Sequence, residues 1–215
     1  MAKRAAAGSR LKSVSPEKIY QFHIALEHTD PLVWRRILVS SEFSLQALHS
    51  VLQMTMGWQM SHLYGFTVGK KTYSEPDDFA RTQFGDVTTK ISAVIGIEKS
   101  FRYDYDFGDD WRHVITVEAI LDRDPSFNYP ICIGGANACP PEDCGSIPGF
   151  ENLKAALSDK DHAEHDDLLM WVGGYFDFRS FDPNRINRDM LWMTNFGSGP
   201  NDQGLYHPYK EDDSN

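Results

Sequence analysis

The chain lacks what would carry it into a membrane. No apolar run approaches the ~20 residues that span a bilayer. Its opening, MAKRAAAGSRLKS, is charged but leads into no apolar segment of a secretory signal, so a cytoplasmic location is expected. Positive charge is scarce as well: 21 Lys and Arg stand against 31 Asp and Glu, a formal net charge of −10. That sign repels phosphate backbones, and the single basic cluster (Lys3, Arg4, Arg10, Lys12) sits in the first residues. The expected partner is therefore a protein or a small molecule, not nucleic acid and not a membrane. Cysteine is down to three, Cys132, Cys139 and Cys144, with no C-x2-C pair. This odd and loosely spaced set is expected to form neither an obligatory disulfide nor a structural zinc site.

Several catalytic signatures are missing too. There is no G-x-x-x-x-G-K-[ST] phosphate loop, no G-x-S-x-G elbow, no H-E-x-x-H and no G-x-G-x-x-G. No cofactor and no metal are expected on these grounds.

What is present is enough apolar and aromatic residues for a substantial core. IYQFHIALEH alternates, placing Tyr20, Phe22, Ile24 and Leu26 on one face of a strand. Thr29-Asp30-Pro31 is turn chemistry, and LVWRRILVS reads as the returning strand. Ser44 suits an N-cap, Leu45, Leu48, Leu52 and Met56 make one helical face, and Gly57 suits the stop. HLYGFTVGKKTYS is a further strand with a Gly-Lys-Lys turn, EPDDFARTQFGDVTT an excursion, and TKISAVIG a short helix or turn. SFRYDYDF, GDD and WRHVITVEAIL read as a second hairpin.

That order predicts an α+β fold: a β-grasp-like mixed sheet (hairpin, helix, strand, hairpin) with one face covered by the helix. From Asp122 the texture becomes rich in loops, proline and glycine. It is followed by helices in FENLKAALS, HAEHDDLLMWVGG and FDPNRINRDMLWM, the last with Asp182 as N-cap and Pro183 at N1. The expected organisation is a flexible basic tail over 1–17, one domain over 18–195, and a second flexible tail over 196–215.

The stretch YDYDFGDDWRHVITVE, Tyr103 to Glu118, concentrates the chemistry. On pleat grounds Trp111 and His113 share a face, and Asp104 and Asp106 lie on the face opposite Tyr103 and Tyr105. The plainer reading has the aromatics in the core, the aspartates capping turn amides and His113 bonded at the core edge. A functional reading has Asp106, Asp109 and His113 converging, which needs a bulge in the pleat. PPED, with Glu142 and Asp143, is either a rigid binding edge or a helix entry.

VWRRILV, LHSVLQMTMGWQMSHLYGF, YDYDFGDDWRHVITVE, PICIGGANACPPEDCG and HAEHDDLLMWVGGYFDFRSFDPNRIN follow one another as in a known family. Over about residues 19–192 the chain resembles the plasmid pRiA4b ORF-3-like family. Some members of that family are labelled insertion-element passenger proteins or resolvases. The resemblance implies a single α+β domain with no established biochemical activity. Two departures, Ser146 after EDCG and FDFRSFD after the glycine pair, touch local loop geometry only. The resolvase label has no support in the residues: neither a serine-recombinase nor a tyrosine-recombinase pattern is found, and the net charge opposes a DNA interface.

The residues expected to line one groove are Trp58, His62, Tyr64, Asp106, Asp109, Trp111, His113, Glu142 and Asp143. With no complete catalytic group, the expected function is a binding or interaction domain tied to plasmids or mobile elements. The alternative is a metal-dependent hydrolase or nuclease-like enzyme using His62 or His113 with Asp106, Asp109 and Glu118. A common groove requires these loops to lie within about two helical turns, ~11 Å, of one another.

Overall fold

Alternation in the first hairpin becomes burial. On β1 (Lys18–Leu26), Tyr20, Phe22, Ile24 and Leu26 all point into the core. β2 (Trp34–Ser40) returns antiparallel, with Phe22 opposite Ile37. In the turn between them the Thr29 hydroxyl donates to the Leu26 carbonyl and accepts from the Val33 amide, both at 2.9 Å. The computed structural model describes residues 17–74, 85–96 and 98–196, with side chains up to 191. The two expected tails, apart from Glu17 and Phe196, and most of the EPDDFARTQFGDVTT excursion lie outside the described residues.

Helix α1 (Leu45–Met56) starts and stops where its caps dictate. Ser44 Oγ accepts from the Ala47 amide at 3.0 Å, and Gly57 takes φ 88° while its N–H returns to the Gln53 carbonyl. The face of Leu45, Leu48, Leu52 and Met56 is buried against the sheet core.

A tight hairpin of β3 (Tyr64–Val68) and β4 (Lys71–Ser74) follows, then the single-turn α2 (Ile91–Val94), then the long hairpin of β5 (Ser100–Tyr105) and β6 (Trp111–Asp122). Together with β7 (Ile131–Ala136) these strands form one sheet in the order β4-β3-β5-β6-β1-β2-β7. The α+β class read from the sequence is the class observed. The sheet is built from hairpins, and the α1 crossover sets β3 down beside β5, not beside β2. Every pairing between named strands is therefore antiparallel, and the parallel pair of a mixed sheet is absent among them.

β7 lies in a stretch whose glycines read as loop. It is an edge strand on β2, and its glycines serve packing. A Cβ at Gly135 would stand 2.8 Å from the Trp34 carbonyl oxygen and 2.5 Å from the Phe181 ring. Its open edge is closed by a side chain: Asn187 accepts from the Cys132 amide at 2.7 Å and donates to the Cys132 carbonyl at 2.9 Å. Asn187 comes from α5 (Pro183–Phe196), whose start is capped by Asp182 through the amides of Asn184 and Arg185. Helices α3 (Ser146–Ser158) and α4 (His165–Trp171) complete the C-terminal part.

Cys132 and Cys139 are buried and Cys144 is half-buried. Burial pushes all three thiols up, Cys144 to about 12. A thiolate-selective reagent at pH 8 is expected to modify three thiols rapidly in denaturant and at least tenfold more slowly in the folded protein. Rapid modification of Cys139 in the native state would show that the thiol is not shielded as described.

Candidate functional site

The site is built at the end of the sheet where β5 turns into β6. Asp106 leaves the pleat by taking φ 53°. Its amide donates to the Leu63 carbonyl at 2.9 Å, and its carbonyl accepts from Asp110 at 2.6 Å, which closes the turn. Its Oδ1 accepts from the amides of Gly108 (3.0 Å) and Asp109 (3.3 Å), the capping role of the plainer reading. That leaves Oδ2 facing His62 Nε2 at 3.7 Å. Pleat geometry alone forbids this convergence; one left-handed residue does the work a bulge would have done.

The segment 58–63, which carries His62, is tied to the core by a relay. The Met60 amide donates to Gln53 Oε1 at 2.9 Å, and Gln53 Nε2 donates to the Tyr103 hydroxyl at 2.9 Å. That hydroxyl then has its own proton for His49 Nδ1 at 2.7 Å, which makes His49 the acceptor and fixes it neutral. His49 is stacked on Tyr64 with centroids 3.6 Å apart, and burial holds its pKa down to about 3.

PPED is the third segment. The Trp58 indole N–H donates to the Pro140 carbonyl at 2.9 Å, and the Gln59 amide donates to Glu142 Oε2 at 3.1 Å. The Tyr105 hydroxyl donates to Glu142 Oε1 in a short contact and accepts from the Ser61 amide at 3.1 Å. Burial first, and this carboxylate second, raise the Tyr105 pKa. The Gly145 amide reaches Asp109 Oδ2 at 3.2 Å, and Asp143, at φ 59°, sets Oδ1 3.2 Å from His62 Nε2. Three separate segments are thus within bonding distance, well inside the ~11 Å that a common groove allows.

The nine residues read from the sequence divide by depth. Trp58, Trp111 and His113 are 3 %, 1 % and 0 % exposed, and Tyr64 is buried beside them. Trp58 stacks on Tyr105 at 5.0 Å and lies 6.0 Å from Trp111 and 5.4 Å from His113. These four form a buried layer that Asp106, 8 % exposed, joins at its edge; His62, Asp109 and Glu142 are half-buried beside it and Asp143 is exposed. His113 donates from Nδ1 to the Tyr103 carbonyl at 3.2 Å, and burial lowers its pKa to about 4. Glu118 is elsewhere: it accepts from Arg36 at 2.6 and 2.8 Å and from Gln21 at 2.7 Å on the other face of β6. The set of His62 or His113 with Asp106, Asp109 and Glu118 is therefore not assembled, because pleat alternation turns Glu118 away.

Gln53 was not among the residues read as functional, although it holds the His62 segment. Its only signal in the sequence is a polar residue beside Leu52 in a largely apolar helix, and its complete burial is visible only in the structure. The rim also went unread: Met60, Leu63 and Phe107 are exposed and flank His62 and Asp106 in sequence. Three buried polar atoms here have no hydrogen-bond partner among the described residues: His62 Nε2, Trp111 Nε1 and His113 Nε2. His62 Nε2 is within ion-pair reach of Asp143 without being aligned for a hydrogen bond.

Residues 18–188 match the plasmid pRiA4b ORF-3-like protein family. The chain belongs to this family. Among its relatives in the plasmid pRiA4b ORF-3-like family is the uncharacterised protein y4hQ of Sinorhizobium fredii (strain NBRC 101917 / NGR234). The two are 34 % identical over 162 residues, which cover 72 % of this chain and 81 % of y4hQ. The fold is similar to the crystal structure of MM3350, a protein of unknown function from Methanosarcina mazei Go1. There the TM-score is 0.73 at 32 % identity, covering 79 % of this chain and 98 % of that one. No helix among the described residues is long and apolar enough to cross a membrane. The pRiA4b-like relatives are uncharacterised, so function has to be argued from the cleft.

Proposed function

We propose that this chain is a ligand-binding module whose site is the cleft between segments 58–63, 106–110 and 140–145. The observation that carries the reading is the gathering of three unpartnered buried polar atoms at one end of an otherwise well-bonded sheet. Native folds satisfy such groups, and of the three only His62 Nε2 belongs to a half-exposed side chain, so it marks where a ligand supplies a missing bond, with Trp111 Nε1 and His113 Nε2 in the buried layer beneath. Asp106, Asp109, Glu142 and Asp143 select a cationic or donor-rich head group, and Met60, Leu63 and Phe107 offer an apolar flank beside it. The buried floor supports the cleft and does not itself meet solvent.

We place the module in the cytoplasm, associated with plasmids or mobile elements. Its support is the family's name and the three free thiols. Phosphate-bearing partners are disfavoured by the acidic cleft as well as by the net charge.

The test uses n-butylguanidinium as probe, titrated into isotope-labelled protein in buffer containing EDTA. Expected are saturable shifts confined to the His62 ring, the indole N–H signals of Trp58 and Trp111, and the Phe107 amide. Asp143→Asn should weaken the response up to about fivefold, since a charge interaction at this exposed carboxylate is worth up to about 1 kcal/mol. Octanoate, of opposite charge, should leave these signals alone. Equal responses to both probes, or an unchanged response in Asp143→Asn, would remove the reading.

A further inference from the structure

We infer that His62, Asp106 and Asp143 form a binding site for one divalent first-row transition ion, Zn2+ or Mn2+, held by His62 Nε2, Asp106 Oδ2 and Asp143 Oδ1. An ion here would be a ligand of the cleft, so the inference rests on the reading of that cleft as the binding site.

The first ground is spacing. All three donor atoms lie within 4.8 Å of one another. Ligands ~2.1 Å from a common ion are about 3.4 Å apart in a tetrahedron and about 3.0 Å apart in cis octahedral positions. The observed separations from His62 Nε2 are 3.2 Å to Asp143 and 3.7 Å to Asp106, which bracket the tetrahedral value and exceed the octahedral one. The remaining carboxylate pair, within 4.8 Å, needs to close by at most about 1.4 Å for a tetrahedron and about 1.8 Å for cis octahedral positions. Asp143, with a side chain 74 % exposed, is free to make that movement.

The second ground is orientation. Metal-binding carboxylates are commonly fixed by hydrogen bonds to the oxygen that does not bind. Asp106 Oδ1 is held by the Gly108 and Asp109 amides, which presents Oδ2 to the cleft. The segment bearing His62 is anchored through Gln53, Tyr103 and His49. The third ground is the state of the imidazole nitrogen: His62 Nε2 is buried and has no aligned hydrogen-bond partner, although two carboxylates stand beside it. A cation between these groups satisfies all three together.

The donor set indicates the class of ion. One imidazole and two carboxylates, without sulfur, suit borderline divalent ions better than soft Cu(I) or a purely oxygen-seeking Ca2+. Three protein ligands from three different segments leave further coordination positions for water or a bound group.

The experiment is titration of the full chain, stripped with EDTA and dialysed, with Zn2+, Mn2+ and Co2+. Heat and metal content are both measured. Expected is one ion per chain in the cleft, with a Co2+ spectrum showing d–d bands and no thiolate charge-transfer band. Asp143→Asn and His62→Gln should each lower affinity at least tenfold while retaining the native melting temperature of the stripped protein. A thiolate band would assign the ion to the cysteines, and undiminished binding in both variants would assign it elsewhere; either overturns the site, as does absence of stoichiometric binding. Because the n-butylguanidinium titration is run with EDTA, its outcome is independent. A cleft that takes the organic cation but no metal removes this inference and leaves the binding module standing.

Discussion

Trp111→Ala is expected to destabilise the domain by about 3–5 kcal/mol, the cost of a large-to-small change in a well-packed core. Trp111 opens β6 directly opposite Tyr105 and is 1 % exposed. It lies 6.0 Å from Trp58, whose indole holds the Pro140 carbonyl. Its removal leaves a cavity beneath the junction of all three site segments, so the loss should extend beyond the transfer term. The measurement is the shift of the denaturation midpoint at constant slope. The same variant should lose the probe-induced shifts at His62, because the floor that positions the segments is gone. A cost below ~1 kcal/mol would show instead that Trp111 is a surface residue available to ligand.

Acidification from pH 6.5 to 4.5 is expected to remove about 4 kcal/mol of stability through His49 and His113 together. Burial lowers both pKa values, to about 3 and about 4, while the unfolded chain titrates near 6.5. In that window the unfolded state holds more protons than the folded state, so stability rises with pH and is lost as pH falls. Above 6.5 both states are neutral and the contribution is complete. His49 is surrounded by Tyr64, Tyr103 and Tyr105, and His113 by Trp58 and Tyr103, none of which carries a charge that would offset an imidazolium. Protonated His49 also cannot accept from Tyr103, which breaks the relay to Met60. Denaturation midpoints measured every half pH unit should fall through the window. His49→Gln, whose amide oxygen can still accept from Tyr103, should roughly halve the slope. A flat midpoint between pH 6.5 and 4.5 would refute the buried neutral state of these two histidines.

Much of the fold was legible because its elements obey local rules. Period-two alternation gave β1, β5 and β6, and Ser44, the Leu45-Leu48-Leu52-Met56 face and Gly57 gave α1 with both caps. β7 was not legible, because its glycines answer a non-local demand: the Trp34 carbonyl and the Phe181 ring occupy the space a side chain would need. The antiparallel sheet order was not legible either, since loop composition does not say beside which strand a crossover lands.

The sequence by itself determined that the chain is an acidic α+β domain, that the Trp58–Tyr64, Asp106–His113 and Glu142–Asp143 segments carry its unusual side chains, and that it resembles the pRiA4b family. These follow from composition, periodicity and motif order, which are properties of the chain read along its length. Only the tertiary structure decided which of those side chains meet. A single positive φ at Asp106 turned its carboxylate off the pleat, a buried Gln53 pinned the His62 segment, and Tyr105 bridged to Glu142 across 37 positions. It also separated Glu118 from the set, on the far side of the same strand with Arg36. The physical reason is that side-chain convergence depends on backbone dihedrals at turns and on packing between distant segments, and neither leaves a periodic signal in the sequence.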